Sequence, residues 1–464
     1  MEAVPLHEVV VGCGGRLVGG APDLLISRVC TDSRRVQAGD LFLALKGEKF
    51  DAHDYLADVA LRAAAAVVVE EGKAGRAEEL AGVLAVVIVP DTKIALGRLA
   101  AWYRGRFTLP LAAIAGSNGK TTTKELLASI LRQGGPALWS EASFNNDIGV
   151  PLTLLQLDRT HQAAVLEVGT NHPGELTALL RMVKPRYGLL TNVGREHLEF
   201  FGDLATVAQE EGCLAEFLPA GGKLFISGDS PWTPTIVQRA TATVVTVGLA
   251  ESNNWVGRNI RVGEDGVRFE VRAPLMKFSG EYRLRLLGRH QVPNALLALA
   301  AGAELGATPS QARAGLAECL PPKMRLQLWE SHGIRVLDDA YNANADSVLA
   351  ALETLRDLPC TGRRVAVLGD MAELGTHAVE AHREIGRRSA ELGVQRLVAV
   401  GRFARETAQA ARAQGLAEVT EFVDVTAAAQ AVGQLVEPGD VVLLKASRAT
   451  GLEVVGEALK KRAS

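Results

Sequence analysis

Leu111-Ala-Ala-Ile-Ala-Gly-Ser-Asn-Gly-Lys-Thr-Thr-Thr123 is the stretch on which the reading of this chain turns. The apolar run Leu111–Ala115 has the composition of a strand covered on both faces. It runs into Gly116, Ser117, Asn118, Gly119, Lys120 and Thr121, and a helical pattern follows at once through Thr122 over 122–132. A phosphate group needs this arrangement. Glycines let backbone N–H groups turn inward, and the helix start adds positive potential. Lys120 would reach the outer phosphates, and the Thr121 hydroxyl would ligate Mg²⁺. The full G-x-x-x-x-G-K-[ST] pattern is not met, because its first glycine falls at Ile114. The loop is a shortened form, and binding of a nucleoside triphosphate is preferred over a plain strand-to-helix turn.

Outward from this loop, short apolar runs recur with helix-like stretches between them. They lie at 41–45, 66–69 and 86–89, then at 164–168 and 188–193, then at 365–368, 397–400 and 441–444. Intervening helical patterns such as 347–355 imply parallel βαβ units. The stretch 256–287 alternates polar and apolar residues around Gly263, Gly266 and Gly280 and reads as antiparallel strands. Breaks at 104–110 and 306–309 divide the chain. The expectation is an α/β protein of three domains. A smaller N-terminal α/β domain takes 1–107, and a central P-loop ATPase-type domain with a mostly parallel sheet takes 108–308. A Rossmann-like C-terminal domain takes 309–464.

In open α/β sheets, functional groups gather at the carboxyl ends of strands. Glu167 ends the run 164–168, and His197 lies just past 188–193. With Thr121 they could converge on a divalent ion. Mg²⁺ prefers oxygen, so a histidine contact would go to a second ion or through water. Taken alone, Glu167 would be a strand-end carboxylate and His197 a surface residue.

Composition narrows the classes. Apolar residues make up 48% and charged residues 22%, a globular profile. With 50 Lys+Arg against 53 Asp+Glu, the net charge of −3 gives no bulk grip on nucleic acid or acidic lipid. No apolar run approaches the ~20 residues a membrane span needs, and residues 1–10 lack the basic start of a signal peptide. The five cysteines are scattered, without CxxC spacing, and read as reduced thiols. A cytoplasmic monomer is expected.

Several motifs resemble the Mur ligase family, the ATP-dependent amide-forming enzymes of peptidoglycan synthesis. GSNGKTTTKE (116–125), LEVGTNHPGE (166–175) and TNVGREHLEFFG (191–202) resemble its central ATPase domain. FNNDIGVPLTLL (144–155), LDDAYNANADS (337–347) and GDMAELG (369–375) resemble the member that handles D-Ala-D-Ala. TDSRRVQAGDLFLALKGEKFDAHDYL (31–56) resembles the domain that holds the UDP of a nucleotide sugar. The resemblance implies a ligase that joins D-Ala-D-Ala to UDP-N-acetylmuramoyl-tripeptide through an acyl phosphate, with ATP and Mg²⁺. By this resemblance Asp32, Ser33, Arg34, Gly47, Asp51 and His53 belong to the UDP site, although Ala52 replaces a usual glycine. Asn145, Asn146 and Asn171 would position the nucleotide-sugar peptide, and Tyr341, Asn342 and Asn344 would border the dipeptide pocket. In GRHQVPNALLALAAG (288–302), Asn294 would contact the base, although asparagine also suits a helix start. Arg325 and Asp339 would reach ATP when the C-terminal domain closes, and Lys445-Ala446-Ser447-Arg448 departs from the family pattern at Ala446. Lys120, Glu167, His197 and Arg325 are the implied catalytic set.

One further departure is chemical. Many members of the family hold a second Mg²⁺ with a lysine carbamylated by CO₂, and that lysine position is Glu211 here. A glutamate supplies a carboxylate on a shorter stem. Glu211 is therefore expected either to replace the carbamate as a metal ligand or to be a solvated helix residue. Folylpolyglutamate synthase and the diamino-acid-adding ligase are the rivals within the superfamily. A silent nucleotide-binding scaffold is the rival outside it.

Overall fold

The computed structural model describes residues 1–461. They form two compact units. One comprises residues 1–113, 135–170 and 175–187; the other comprises 114–134, 171–174 and the described residues from 188 to 461. The chain passes from one to the other inside the strand Leu111–Ala115.

In the first unit a five-stranded sheet runs in the order Arg16–Val18, Ala85–Val89, Ala66–Glu70, Leu41–Leu43, Val29–Cys30. Its strands are parallel except Arg16–Val18, which pairs antiparallel. Every side chain of Ala85–Val89 is buried, as a doubly covered strand requires. Phe42, Val67, Val69 and Val86 form one core beneath helix Leu56–Leu61. The same unit holds Ala163–Glu167, parallel to Ala137–Trp139.

In the second unit, helix Lys120–Arg132 packs on Pro309–Glu318 at unusually short range. A Cβ at Gly315 would lie 2.5 Å from the Ile130 Cα, so only glycine permits the approach. Lys223–Ser227, Thr243–Gly248 and Trp255–Gly263 are parallel. The expected antiparallel strands follow as Gly266–Arg272 and Gly280–Leu284.

The last third is a six-stranded sheet. Its order is Gln327–Ser331, Ile334–Asp338, Val441–Lys445, Arg364–Leu368, Arg396–Val400, Glu418–Phe422. Only Gln327–Ser331 pairs antiparallel. Apolar cores on both faces, one around Leu337 and Leu352 and one around Val336 and Val442, give it a doubly wound, Rossmann-like build. Among the described residues no helix is long and apolar enough to cross a membrane.

The strand expected at 188–193 is shorter, Tyr187–Leu190. Past Leu190 the backbone leaves the ladder because its polar groups serve the phosphate loop, as described next.

Candidate active site

The loop after Leu111–Ala115 is built for close backbone approach. Gly116 (φ +111°) and Gly119 (φ +84°) lie in the left-handed region that glycine favours. A Cβ at Gly116 would sit 2.3 Å from the Thr191 hydroxyl, and one at Gly119 would sit 2.4 Å from Asn294 Oδ1. The segment 191–194 clamps the loop from below. Ser117 N donates to the Asn192 carbonyl (2.9 Å) and Asn118 N to Asn192 Oδ1 (2.9 Å). Gly194 N donates to Ser117 Oγ (2.8 Å). Helix Lys120–Arg132 begins at Gly119, which has no side chain to cap it, and the start of such a helix carries positive potential. Thr121 and Thr122 are buried in that turn.

The loop is lined by carboxylates. Lys120 Nζ folds back onto the Gly116 and Ser117 carbonyls and lies 3.4 Å from Glu196 Oε2. Glu211, the last residue of helix Leu204–Glu211, is 1% exposed, and its Oε2 accepts the Gly116 N–H at 2.6 Å. Its Oε1 is buried without a hydrogen-bond partner. Burial pushes the Glu211 carboxyl up to about 8, and Glu196 adds to this, against the pull of Lys120 and the Gly116 N–H. Glu211 is thus no solvated helix residue but part of the loop's own wall.

His197 begins the short helix Leu198–Phe201 at φ +51°, and its Nδ1 meets Glu373 Oε2. Glu373 itself has φ +58°, and its hydrogen bond to His197 holds its carboxyl below the usual range. Two strained non-glycine residues in mutual contact mark a place where tertiary structure overrides backbone preference. Arg195 is bound to Asp346 through both its backbone N (2.8 Å) and its guanidinium, and to Glu384 (2.6 Å).

The LDDAYNANADS segment reaches the loop directly. Asn344 caps helix Ala345–Asp357, and its Nδ2 donates to Asn118 Oδ1 at 3.0 Å. Asn342 is exposed, and its carbonyl accepts from Lys445 Nζ (3.0 Å), which also pairs with Asp339 Oδ2 (2.5 Å). Asp339 Oδ1 accepts the Leu326 N–H. Arg325 stands 4.3 Å over the Tyr341 ring and is flanked by Met324 and Leu326, both at positive φ. Asn294 Nδ2 donates to Gln291 Oε1 (3.0 Å) in the first turn of helix Gln291–Glu304.

In the other unit, Asn145 Nδ2 donates to Glu167 Oε1 (2.8 Å), while Glu167 Oε2 is buried without a hydrogen bond. Asn146 Oδ1 accepts the Ile148 and Gly149 N–H groups, 3.2 and 2.9 Å, ahead of helix Gly149–Leu154. Asp32 caps the turn Ser33–Arg35, and its hydrogen bond from the Arg34 side chain holds it down at about 2. Gly47 N donates to the Phe50 carbonyl. His53 is 2% exposed; its Nδ1 meets Asp51 Oδ1 (2.6 Å) and its Nε2 accepts from Glu70 N (3.0 Å). Burial pushes Asp51 up, but bonds from His53 and Lys73 outweigh it and hold Asp51 at about 2. With both ring nitrogens engaged inside the protein, His53 shapes its loop rather than presenting a free nitrogen.

Asn192, Arg195, Glu196 and Glu373 were not among the residues read from sequence, although all stand inside the quoted motifs. An acidic residue directly before His197 was the available signal for Glu196.

His382 fixes the GDMAELG turn in one protonation state. Its Nδ1 donates to the Ala378 carbonyl (2.7 Å) and its Nε2 accepts from Met371 N (3.1 Å). Burial pushes its imidazole below the ordinary value. A depressed histidine binds fewer protons folded than unfolded, so stability falls as pH drops below about 6.5. Denaturant unfolding at pH 7.5 and pH 5 should show a larger loss of stability in the wild type than in His382→Gln. Equal losses would remove this role.

The residues fit a magnesium nucleotide. Glu167 in one unit and Glu211 in the other each hold a buried, unpartnered oxygen, a hard donor of the kind Mg²⁺ takes. Among the described residues no three His, Cys, Asp or Glu side chains form a metal cage. Mg²⁺ bound through one or two carboxylates and substrate phosphates needs none.

Comparison with known proteins bears on the whole chain. The model of the Mur ligase middle domain matches residues 114–302. That of the Mur ligase glutamate ligase domain matches 324–448, and that of the Mur ligase family catalytic domain matches 25–104. UDP-N-acetylmuramoyl-tripeptide–D-alanyl-D-alanine ligase of Escherichia coli (strain K12) is 36% identical over 470 residues, covering 99% of each chain. The crystal structure of MurF from Acinetobacter baumannii superposes with a TM-score of 0.90 at 31% identity over 100% of both chains. MurF ligase from Thermotoga maritima in complex with ADP gives a TM-score of 0.80 at 26% identity, covering 94% of this chain and 97% of that one.

Proposed function

The chain belongs to the Mur ligase family, and on that premise we propose that it joins D-alanyl-D-alanine to the free carboxylate of UDP-N-acetylmuramoyl-tripeptide, with ATP as the energy source. The observation that carries this reading is the Asn344–Asn118 hydrogen bond. It joins the motif of the dipeptide-adding ligases to the phosphate loop, so the two halves of the chemistry meet at one place.

The tripeptide carboxylate attacks the γ-phosphorus of ATP, ADP leaves, and an acyl phosphate remains. The free amine of D-Ala-D-Ala then attacks the acyl carbon; phosphate departs, the amine loses its proton, and the amide forms. Such chemistry is mainly placement and charge neutralisation. The N–H groups of the loop and of the first turn after Gly119 hold the phosphates, with Thr122 in that turn. Lys120 follows the charge as it moves to the leaving oxygen. Asn294 borders the base, and Arg325 and Asp339 approach the nucleotide from the C-terminal part.

Bound Mg²⁺ would neutralise phosphate charge, with the Thr121 hydroxyl and the Glu211 carboxylate as oxygen donors, and the Glu167 carboxylate is a donor of the same kind. His197 has its Nδ1 engaged by Glu373, and its Nε2 lies 3.8 Å from Glu196 Oε2 beside that site. Residues 1–107 hold UDP through the turns around Asp32, Ser33, Arg34, Gly47 and Asp51, with His53 as their support. Asn145, Asn146 and Asn171 orient the nucleotide-sugar peptide. Tyr341, Asn342 and Asn344 edge the acceptor site.

Phosphate release from ATP tests the reading. With UDP-muramoyl-tripeptide present, release should require D-Ala-D-Ala. Release at the same rate without the dipeptide would overturn the assignment.

A further inference from the structure

The floor of the phosphate loop, 191–194, runs straight into Arg195, whose bonds go to two helices far away in the chain. Its backbone N donates to Asp346 Oδ2 (2.8 Å), and its Nε and Nη2 reach Asp346 Oδ1 at 2.8 and 2.7 Å. Asp346 lies in the first turn of helix Ala345–Asp357. Asn344 already caps that helix, and both Asp346 oxygens accept from Arg195. On the other side, Arg195 Nη1 donates to Glu384 Oε2 (2.6 Å), on helix Ala378–Glu391 after the GDMAELG turn. One planar guanidinium thus bridges carboxylates that lie 151 and 189 residues away in the chain. None of the three side chains is more than 37% exposed, so the bridge is partly shielded from water.

The bridge closes a ring around the loop. Asn344, two residues before Asp346, donates to Asn118 Oδ1, and Asn118 N donates to Asn192 Oδ1 below it. The approach is close. A Cβ at Gly194 would lie 2.8 Å from Asp346 Oδ2 and 3.2 Å from Asn118 Nδ2. Asn344 to Asn118 is a single neutral hydrogen bond, of modest net worth. The charged bridge beside it is stronger and more directional. The segment 341–344, which edges the acceptor site in the reading above, is therefore held to the phosphate loop mainly through Arg195.

We propose that Arg195 is a positioning residue of the second half-reaction. It fixes the acceptor's edge relative to the acyl phosphate formed at the loop, so that the amine rather than water takes the acyl group. This rests on the ligase reading above. Arg195 takes no part in bond making. When the acceptor's edge shifts, amine attack slows, because a small misplacement is costly to a bimolecular step. Water then adds its oxygen to the acyl carbon and loses a proton to solvent. Phosphate leaves with the electron pair of the C–O bond, the tripeptide carboxylate returns, and ATP is consumed without an amide.

The test measures amide formed and phosphate released in the same reaction. Wild type, Arg195→Ala, Arg195→Lys and Glu384→Ala are assayed with UDP-muramoyl-tripeptide, ATP and D-Ala-D-Ala. The wild type should release phosphate and form amide in equal amounts. Arg195→Ala should raise the KM for D-Ala-D-Ala about 10-fold, with the KM for ATP within about twofold of wild type. Below saturating dipeptide it should release phosphate in excess over amide, by about twofold or more. Arg195→Lys should lie between the two, since a point charge cannot bridge both carboxylates as the fork does. Glu384→Ala should move both readouts the same way by less, and adding it to Arg195→Ala should change little, because the two act as one unit. Equal amounts of phosphate and amide from Arg195→Ala overturn the proposal. So does a matching rise in its KM for ATP, the mark of a merely structural loss. Should circular dichroism melting show Arg195→Ala unfolded, Arg195→Lys and Glu384→Ala decide by the same ratio. A wild type that forms no amide at all overturns the ligase reading itself, which separates the two failures.

Discussion

Exchange of Lys120 for methionine is expected to lower turnover about 1,000-fold, at the upper end of what removing one preorganised charge donor does. Methionine keeps most of the stem, and the helix that Lys120 opens is held by Thr121, Thr122 and the buried leucines behind them, so the fold should persist. The lysine has no comparable substitute. Its ammonium lies against the Gly116 and Ser117 carbonyls and 3.4 Å from Glu196, inside the loop it must neutralise. Removing it leaves Glu196 and Glu211 facing the loop without their cation, so nucleotide affinity should fall with turnover. Single-turnover phosphate release measures the chemical step, and circular dichroism melting checks the fold. A loss below tenfold with an intact fold would mean that Lys120 is not the mobile cation of the reaction.

The second large effect concerns Glu211. Glu211→Ala is expected to lower turnover at least about 100-fold, and wild-type activity should be indifferent to removal of bicarbonate and CO₂. The physical reason lies in its surroundings. One oxygen of the carboxylate is tied to the Gly116 N–H, and the other is buried with no hydrogen bond. A buried, unpaired carboxylate oxygen is costly unless a cation completes it. Burial is also what raises this carboxyl to about 8, so the ionised form awaits a positive partner. Alanine would leave both the Gly116 N–H and the ion without a ligand. Full activity of Glu211→Ala would sink the idea, and so would activity that depends on added bicarbonate. Mn²⁺ binding followed by electron paramagnetic resonance in the presence of nucleotide gives a second readout, with weaker binding expected in the variant.

The strand, loop and helix of residues 111–132 were legible because their determinants are local. A short apolar run, two glycines and a helix start define them within a few side chains. The antiparallel character of 256–287 was legible for the same reason, since period-two alternation and glycine breaks are local patterns. The segment 191–193 was not. It was read as the end of a strand, yet Asn192 turns it under the phosphate loop, a contact across more than seventy residues. Glu211 could be singled out from the sequence, but not its choice of the Gly116 N–H. His53 was legible as a loop residue, yet its two ring bonds, to Asp51 and Glu70, depend on which strand lies beside the loop.

Sequence by itself therefore determined the phosphate loop, the α/β class and the family, because these rest on backbone conformation and on short motifs that carry their own chemistry. Tertiary structure alone decided the partners: Glu373 on His197, Asn344 on Asn118 and Asp346 on Arg195. A charged side chain takes its role from what stands within a few ångströms of it and from how much water is excluded there. Both are set by the order in which distant strands enter a sheet, and no local stretch of sequence contains that order.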